Sequence, residues 1–170
     1  MNLLRQLPSL ACALAMIAVL AGCHATVEAK WATGDDTVYR WEKAAPTLPV
    51  EVRGQLPNAS QAQMVQAIPN AVATAGAGER WVVEVSQQAA PHDDAYCQPA
   101  AHNGAPSSTQ AALALTVTLC DGHRLVATSR SPLDAQKSSV DELPRRIKRL
   151  KNLALIGIAR SPAQYIEVQS

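Results

Sequence analysis

Leu113-Ala114-Leu115-Thr116-Val117-Thr118-Leu119-Cys120-Asp121-Gly122-His123-Arg124-Leu125-Val126-Ala127-Thr128 is the stretch that decides the fold. Leu113, Leu115, Val117 and Leu119 alternate with small or polar residues, the period-two pattern of a strand with one buried face. Asp121-Gly122 offers the two positive-φ positions of a type I′ turn. His123-Arg124-Leu125-Val126-Ala127-Thr128 reads as the return strand. The sequence therefore places an antiparallel hairpin near its middle, and Cys120 lies at its turn.

Upstream, Arg80-Trp81-Val82-Val83-Glu84-Val85-Ser86 predicts another strand, with Trp81, Val83 and Val85 on one face. Leu48-Pro49-Val50-Glu51-Val52-Arg53 predicts a first core strand, broken at Gly54 to Pro57. Between the two, Ser60 with Gln63 matches a capping box, although Asn58 competes as the cap. Met64 or Val65, Ile68, Val72 and Ala75 then recur at helical spacing. Pro69 lies inside that stripe and is expected to kink or split the helix, which Gly76 and Gly78 end. Downstream, residues 131–138 read as a loop. A second helix starts near Ser139 or Asp141, with Pro144 in its first turn and Leu143, Ile147, Leu150 and Ala154 as its buried stripe. Leu153 to Ile158 either extends that helix or forms a short apolar segment. Tyr165-Ile166-Glu167-Val168-Gln169 alternates like a closing strand. The order β-α-β-β-β-α-β gives an α+β class: a two-layer sandwich, a mainly antiparallel sheet with two helices on one face. The domain spans 48–170. The core is expected from Val, Leu, Ile and Ala with Trp31, Trp41 and Trp81, because the chain has no Phe.

The N-terminus carries a different signal. Arg5 precedes the apolar run Leu10 to Leu20, which ends in Leu20-Ala21-Gly22-Cys23. The run is about half the ~20 residues a spanning helix needs. A positive segment, an apolar segment and a small-residue cleavage site are the parts of a secretory signal, and the four final residues resemble the lipobox of bacterial lipoprotein signal peptides. The resemblance covers residues 1–23 only. It implies that residues 1–22 are removed, that the Cys23 thiol carries a diacylglycerol group, and that the new amine is acylated as well. Two or three chains hold a protein at a membrane persistently, where one holds it marginally. In enterobacterial lipoproteins an Asp after the lipidated Cys tends to retain the protein at the inner membrane. His24 stands there instead, which implies the outer membrane with the domain facing the periplasm.

Residues 23–47 then read as the lipidated Cys and a tether. Thr33-Gly34-Asp35-Asp36 is a turn signal, Thr37-Val38-Tyr39-Arg40-Trp41 alternates weakly like an edge strand, and Ala44-Ala45-Pro46-Thr47 is linker-like. Trp31, Tyr39 and Trp41 either form an interfacial cluster or pack on the domain. Arg5 is the only charged residue in 1–22, so the 15 basic side chains of the whole chain fall to one fewer, equal to the 14 acidic ones. A neutral domain argues against nucleic-acid binding. Once Cys12 is removed and Cys23 is acylated, Cys97 and Cys120 remain, and two thiols in an oxidising periplasm pair.

Three constellations are candidates for function. His92-Asp93-Asp94-Ala95-Tyr96-Cys97, with His102 and His123, holds metal-ligating atoms, but without paired ligand spacing. Solvated loop polarity is the plainer reading, so neither a metal nor a cofactor is expected. Arg145, Arg146, Lys148, Arg149 and Lys151 make a dense basic stripe on the second helix. It is either the solvated face of an amphipathic helix or a contact for a partner or anionic lipid. The third is the irregular stretch 87–110, with Pro91, Pro99, Gly104 and Pro106, because structureless loops of that length are often functional. No GxSxG, SxxK, P-loop or HExxH motif occurs, so an enzyme is not expected. The sequence predicts a membrane-anchored envelope lipoprotein with a structural, adaptor or assembly role and an envelope protein as partner. The alternative is a periplasmic ligand-binding module that uses the 87–110 loop.

Overall fold

In the computed structural model, residues 26–29, 38–87, 93–99 and 112–159 are described. The central hairpin joins β5 (Ala114–Asp121) to β6 (Arg124–Pro132). Its turn lies one residue later than expected. Asp121 pairs with Arg124, so Gly122-His123 forms the loop, and only Gly122 takes a positive φ, of 62°. That is the requirement of a turn with glycine at its first central position, not of a type I′ turn. The return strand also runs four residues beyond Thr128.

The sheet has six strands in the order β1-β6-β5-β4-β2-β3, with β1 Thr26–Ala29, β2 Val50–Gly54, β3 Ala71–Val72 and β4 Arg80–Ser86. It is mainly antiparallel: β1–β6, β5–β6 and β4–β5 run antiparallel, while β2 lies parallel to both β3 and β4. Three helices cover one face: α1 Val38–Ala44, α2 Gln61–Ala67 and α3 Leu143–Ala159. The α+β layering is as expected, with one helix more than the two predicted. On the covered face the rows Val52–Val83–Val117–Ser129 and Trp81–Leu119–Ala127 follow the register, and all of these side chains are buried. Met64 of α2 and Leu143, Ile147, Leu150, Ala154 and Ile158 of α3 close the core over them.

The extra helix replaces the edge strand expected at 37–41. Trp41 is fully buried, Tyr39 is exposed, and Val38, Ala44 and Ala45 pack against the core. Those contacts fall three to four residues apart, the helical period, and the Trp81 indole N–H donates to the Ala45 carbonyl at 3.2 Å. Trp41 therefore packs on the domain instead of forming an interfacial cluster. The packed unit also reaches further back than residue 48, because β1, within the expected tether, pairs with β6. Trp31, like Cys23, lies outside the described residues, as does the closing strand expected at 165–169.

The capping box forms as read: Ser60 accepts from the Gln63 backbone N–H and Gln63 Oε1 accepts from the Ser60 N–H at 2.8 Å. The helix does not kink at Pro69. It ends at Ala67, since a residue before proline avoids the helical region, and Ile68 is extended at φ −94°, ψ 125°. Asn70 takes φ 60° and turns the chain into β3, so Val72, expected on the helical stripe, pairs beside Glu51 instead.

Candidate functional site

The outer face of α3 is built by the same periodicity that buries its inner face. Leu143, Ile147, Leu150, Ala154 and Ile158 recur at three- and four-residue steps and are all buried. The opposite line, Arg145, Arg149, Asn152 and Ile156, recurs at the same steps and is exposed, with Lys148 beside it. No Asp or Glu occurs between Leu143 and Ala159. The five-cation stripe expected from the sequence does not act as one group. Arg146 bonds to Glu142 at 3.2 Å. Lys151 turns inward over the Trp81 ring, 5.1 Å from its centroid, and burial pulls its ammonium down from the ordinary 10.5 to a pKa of about 8. Arg145, Lys148 and Arg149 remain solvent-facing, with no ion-pair partner among the described residues.

The placement of these cations does not serve the helix itself. Cations stabilise the C-terminal end of a helix dipole and are mildly unfavourable near its N-terminus. Here they occupy the first half of α3, and its last turn contains no basic residue. The charge is therefore free to serve a contact outside the helix.

The opposite face of the sheet is polar yet covered. Glu51, Thr116, Thr118 and Thr128 are all buried, and the Thr118 and Thr128 hydroxyls share a hydrogen bond at 3.0 Å. A 3-10 turn, Asp93–Cys97, lies on this face. Tyr96 and Cys97 form a second small apolar cluster there with Val82, Cys120 and Leu125. Cys97 and Cys120 are disulfide-bonded, with Cα atoms 5.6 Å apart. An ionic lock that the sequence reading missed holds the same segment. Glu51 bridges Arg53 at 2.8 Å and Arg80 at 3.2 Å. Arg53 donates to the carbonyls of Tyr96 and Gln98, both at 2.9 Å. Arg80 donates to those of Cys97, Gly122 and Gly78. The available signal was charge on one face of each of two strands, Glu51-Arg53 and Arg80-Glu84, but pairing them requires the β2–β4 register.

This arrangement engages two of the candidate ligands. Asp94 accepts from the Leu125 backbone N–H at 2.8 Å, and Cys97 is oxidised. His123 is exposed at the hairpin turn, while His92 and His102 lie outside the described residues. No group of three or more His, Cys, Asp or Glu side chains comes together among the described residues. The described middle of the 87–110 stretch directs Tyr96 and Cys97 into the molecule, where they pack against the sheet. Compared with known protein families, with curated proteins and with solved structures, the chain finds no match.

Proposed function

We propose that this chain is an envelope lipoprotein with a structural, adaptor or assembly role, held in the outer membrane by acylated Cys23 with its α+β domain in the periplasm. The carrying observation is the Cys97–Cys120 disulfide, buried beneath the 3-10 turn and part of the packing of one sheet face. A bridge of that kind belongs to a chain that folds in an oxidising compartment, which agrees with a signal-like N-terminus ending at Cys23. No helix among the described residues is long and apolar enough to cross a membrane, and in this reading the acyl chains make the attachment. Glu51, Arg53, Arg80 and Asp94 are engaged by one another or by backbone groups, which favours a scaffold over a catalyst.

Intact mass of detergent-extracted protein, with and without reductant, tests the proposal. The expected result is residues 23–170 plus acyl chains, with a gain of two hydrogens on reduction. A mass lacking acyl chains overturns the anchor. In-cell crosslinking through exposed side chains then reports whether an envelope protein is the partner, and the absence of any crosslinked protein argues against the adaptor role.

A further inference from the structure

The position of β1 limits how far the domain stands from its anchor. Only two residues separate Cys23 from Thr26, the first residue of β1. Val27 pairs with Ser129 of β6, and the Ser129 hydroxyl donates to the Leu150 carbonyl of α3 at 2.7 Å. Four residues of extended chain reach at most ~14 Å. One strand step adds about 5 Å, and a helix is about 10 Å across. A leash of the full length 24–47 would reach several times further. With β1 in the sheet, these lengths together place Cys23 at most about 30 Å from the outer face of α3, which packs on β1, β5 and β6.

We propose that the outer face of α3, through Arg145, Lys148 and Arg149, rests on the anionic phospholipid headgroups of the leaflet that holds the Cys23 acyl chains. The inference depends on the lipoprotein reading for the anchor and on the structure for the face. Charge complementarity selects the occupant. Three exposed cations lie on a helix surface with no carboxylate from Leu143 to Ala159, and each cation near an anionic bilayer strengthens attachment roughly fivefold. Ile156, 47% exposed, continues the line of Arg145, Arg149 and Asn152 and adds an apolar contact at headgroup depth. Asp141 and Glu142 precede the helix, and Glu142 is engaged by Arg146. The domain then lies with its helical layer against the membrane, and the face carrying the 3-10 turn points into the periplasm.

The test uses full-length lipidated protein in vesicles of phosphatidylglycerol and phosphatidylethanolamine containing headgroup-nitroxide lipids. A fluorophore is placed on Cys at position 152 (Asn152→Cys) or, on the opposite face, at 99 (Pro99→Cys). Quenching at 152 but not at 99 is expected. The triple variant Arg145→Glu, Lys148→Glu, Arg149→Glu is expected to lose the quenching while intact mass still shows the acyl chains. Equal quenching at both positions, or quenching at 152 that survives the triple variant, overturns the docking and leaves the anchor standing. Quenching that appears only when an acidic envelope protein is added reassigns the face to that protein. A mass without acyl chains overturns the anchor and this orientation together.

Discussion

A guanidinium at 2% exposure is tolerated only when its charge and its N–H groups are answered, and Arg80 meets both conditions through Glu51 and three backbone carbonyls. Glu51 also neutralises Arg53, so losing its charge strands two cations on a covered face. Glu51→Gln is expected to lower stability by about 3 kcal/mol, read from the urea midpoint. Arg149→Gln, on the exposed face of α3, should shift it by less than ~0.5 kcal/mol. Lys151 makes the second prediction at this scale. Its folded pKa, about 8, lies below the ordinary 10.5, so the unfolded chain binds the extra proton between these values. The cost of holding a charged ammonium over Trp81 is complete below pH 8 and is relieved as pH rises towards 10.5. The stability of Lys151→Met relative to the unsubstituted protein should therefore fall across that window. Paired denaturation curves at pH 7 and pH 10.5 that differ by the same amount would disprove it.

The elements are set by local rules whose outcome depends on their neighbours. Ser60→Ala removes one half of the capping box of α2 and should cost about 1 kcal/mol. Gly54 ends β2 at φ 72°, and a Cβ there would lie 2.1 Å from the Val85 carbonyl oxygen on the paired strand. Gly54→Ala should therefore cost more than the 1–2 kcal/mol typical of a left-handed alanine, visible as a lowered thermal midpoint. The disulfide fastens the 3-10 turn to β5 across a sequence separation of 23. Replacing both cysteines by Ser should cost about 3 kcal/mol, with faster amide exchange at 93–98. The strong strands, the capping box and the stripe of α3 were all legible in the sequence, because each follows from spacing within one element. The segment 37–41 was misread because Tyr39 and Trp41 fit a weak alternation, whereas Val38 and Trp41 fit a helical step. Only the core pocket that takes Trp41 decides between them. The turn at 121–123 slipped by one residue because the β4–β5–β6 ladder, with its irregularity between Leu119 and Cys120, sets the register there.

At the scale of the whole molecule, the folded unit includes chain that reads as a leash. Trp41 is fully buried in the same core cluster as Trp81, and β1 covers the edge of β6. A protein beginning at residue 48 loses a core indole, worth about 3–5 kcal/mol, and exposes a long strand edge prone to intermolecular pairing. It is expected to aggregate or to lose its cooperative melt, whereas a protein beginning at residue 24 should unfold in one transition by circular dichroism. The same topology limits the distance between the basic line of α3 and the attachment point proposed at Cys23. The candidate membrane-facing surface thus arises from a strand of four residues that no periodicity argument identifies.

The amino-acid pattern by itself determined the α+β class, the inward faces of β2, β4 and β5, the buried stripe of α3 and the identity of the paired cysteines. Each of these depends on residues close in sequence or, for the thiols, on the expectation that Cys12 is removed and Cys23 acylated, which leaves Cys97 and Cys120 as the pair. Only the tertiary structure decided which cations of α3 face solvent, where the packed unit begins, and that Glu51, Arg53 and Arg80 lock the 3-10 turn onto the sheet. Those outcomes rest on register and long-range packing. A side chain such as Lys151 or Trp41 becomes buried or exposed according to what a distant segment places beside it, and spacing along the chain carries no record of that neighbour.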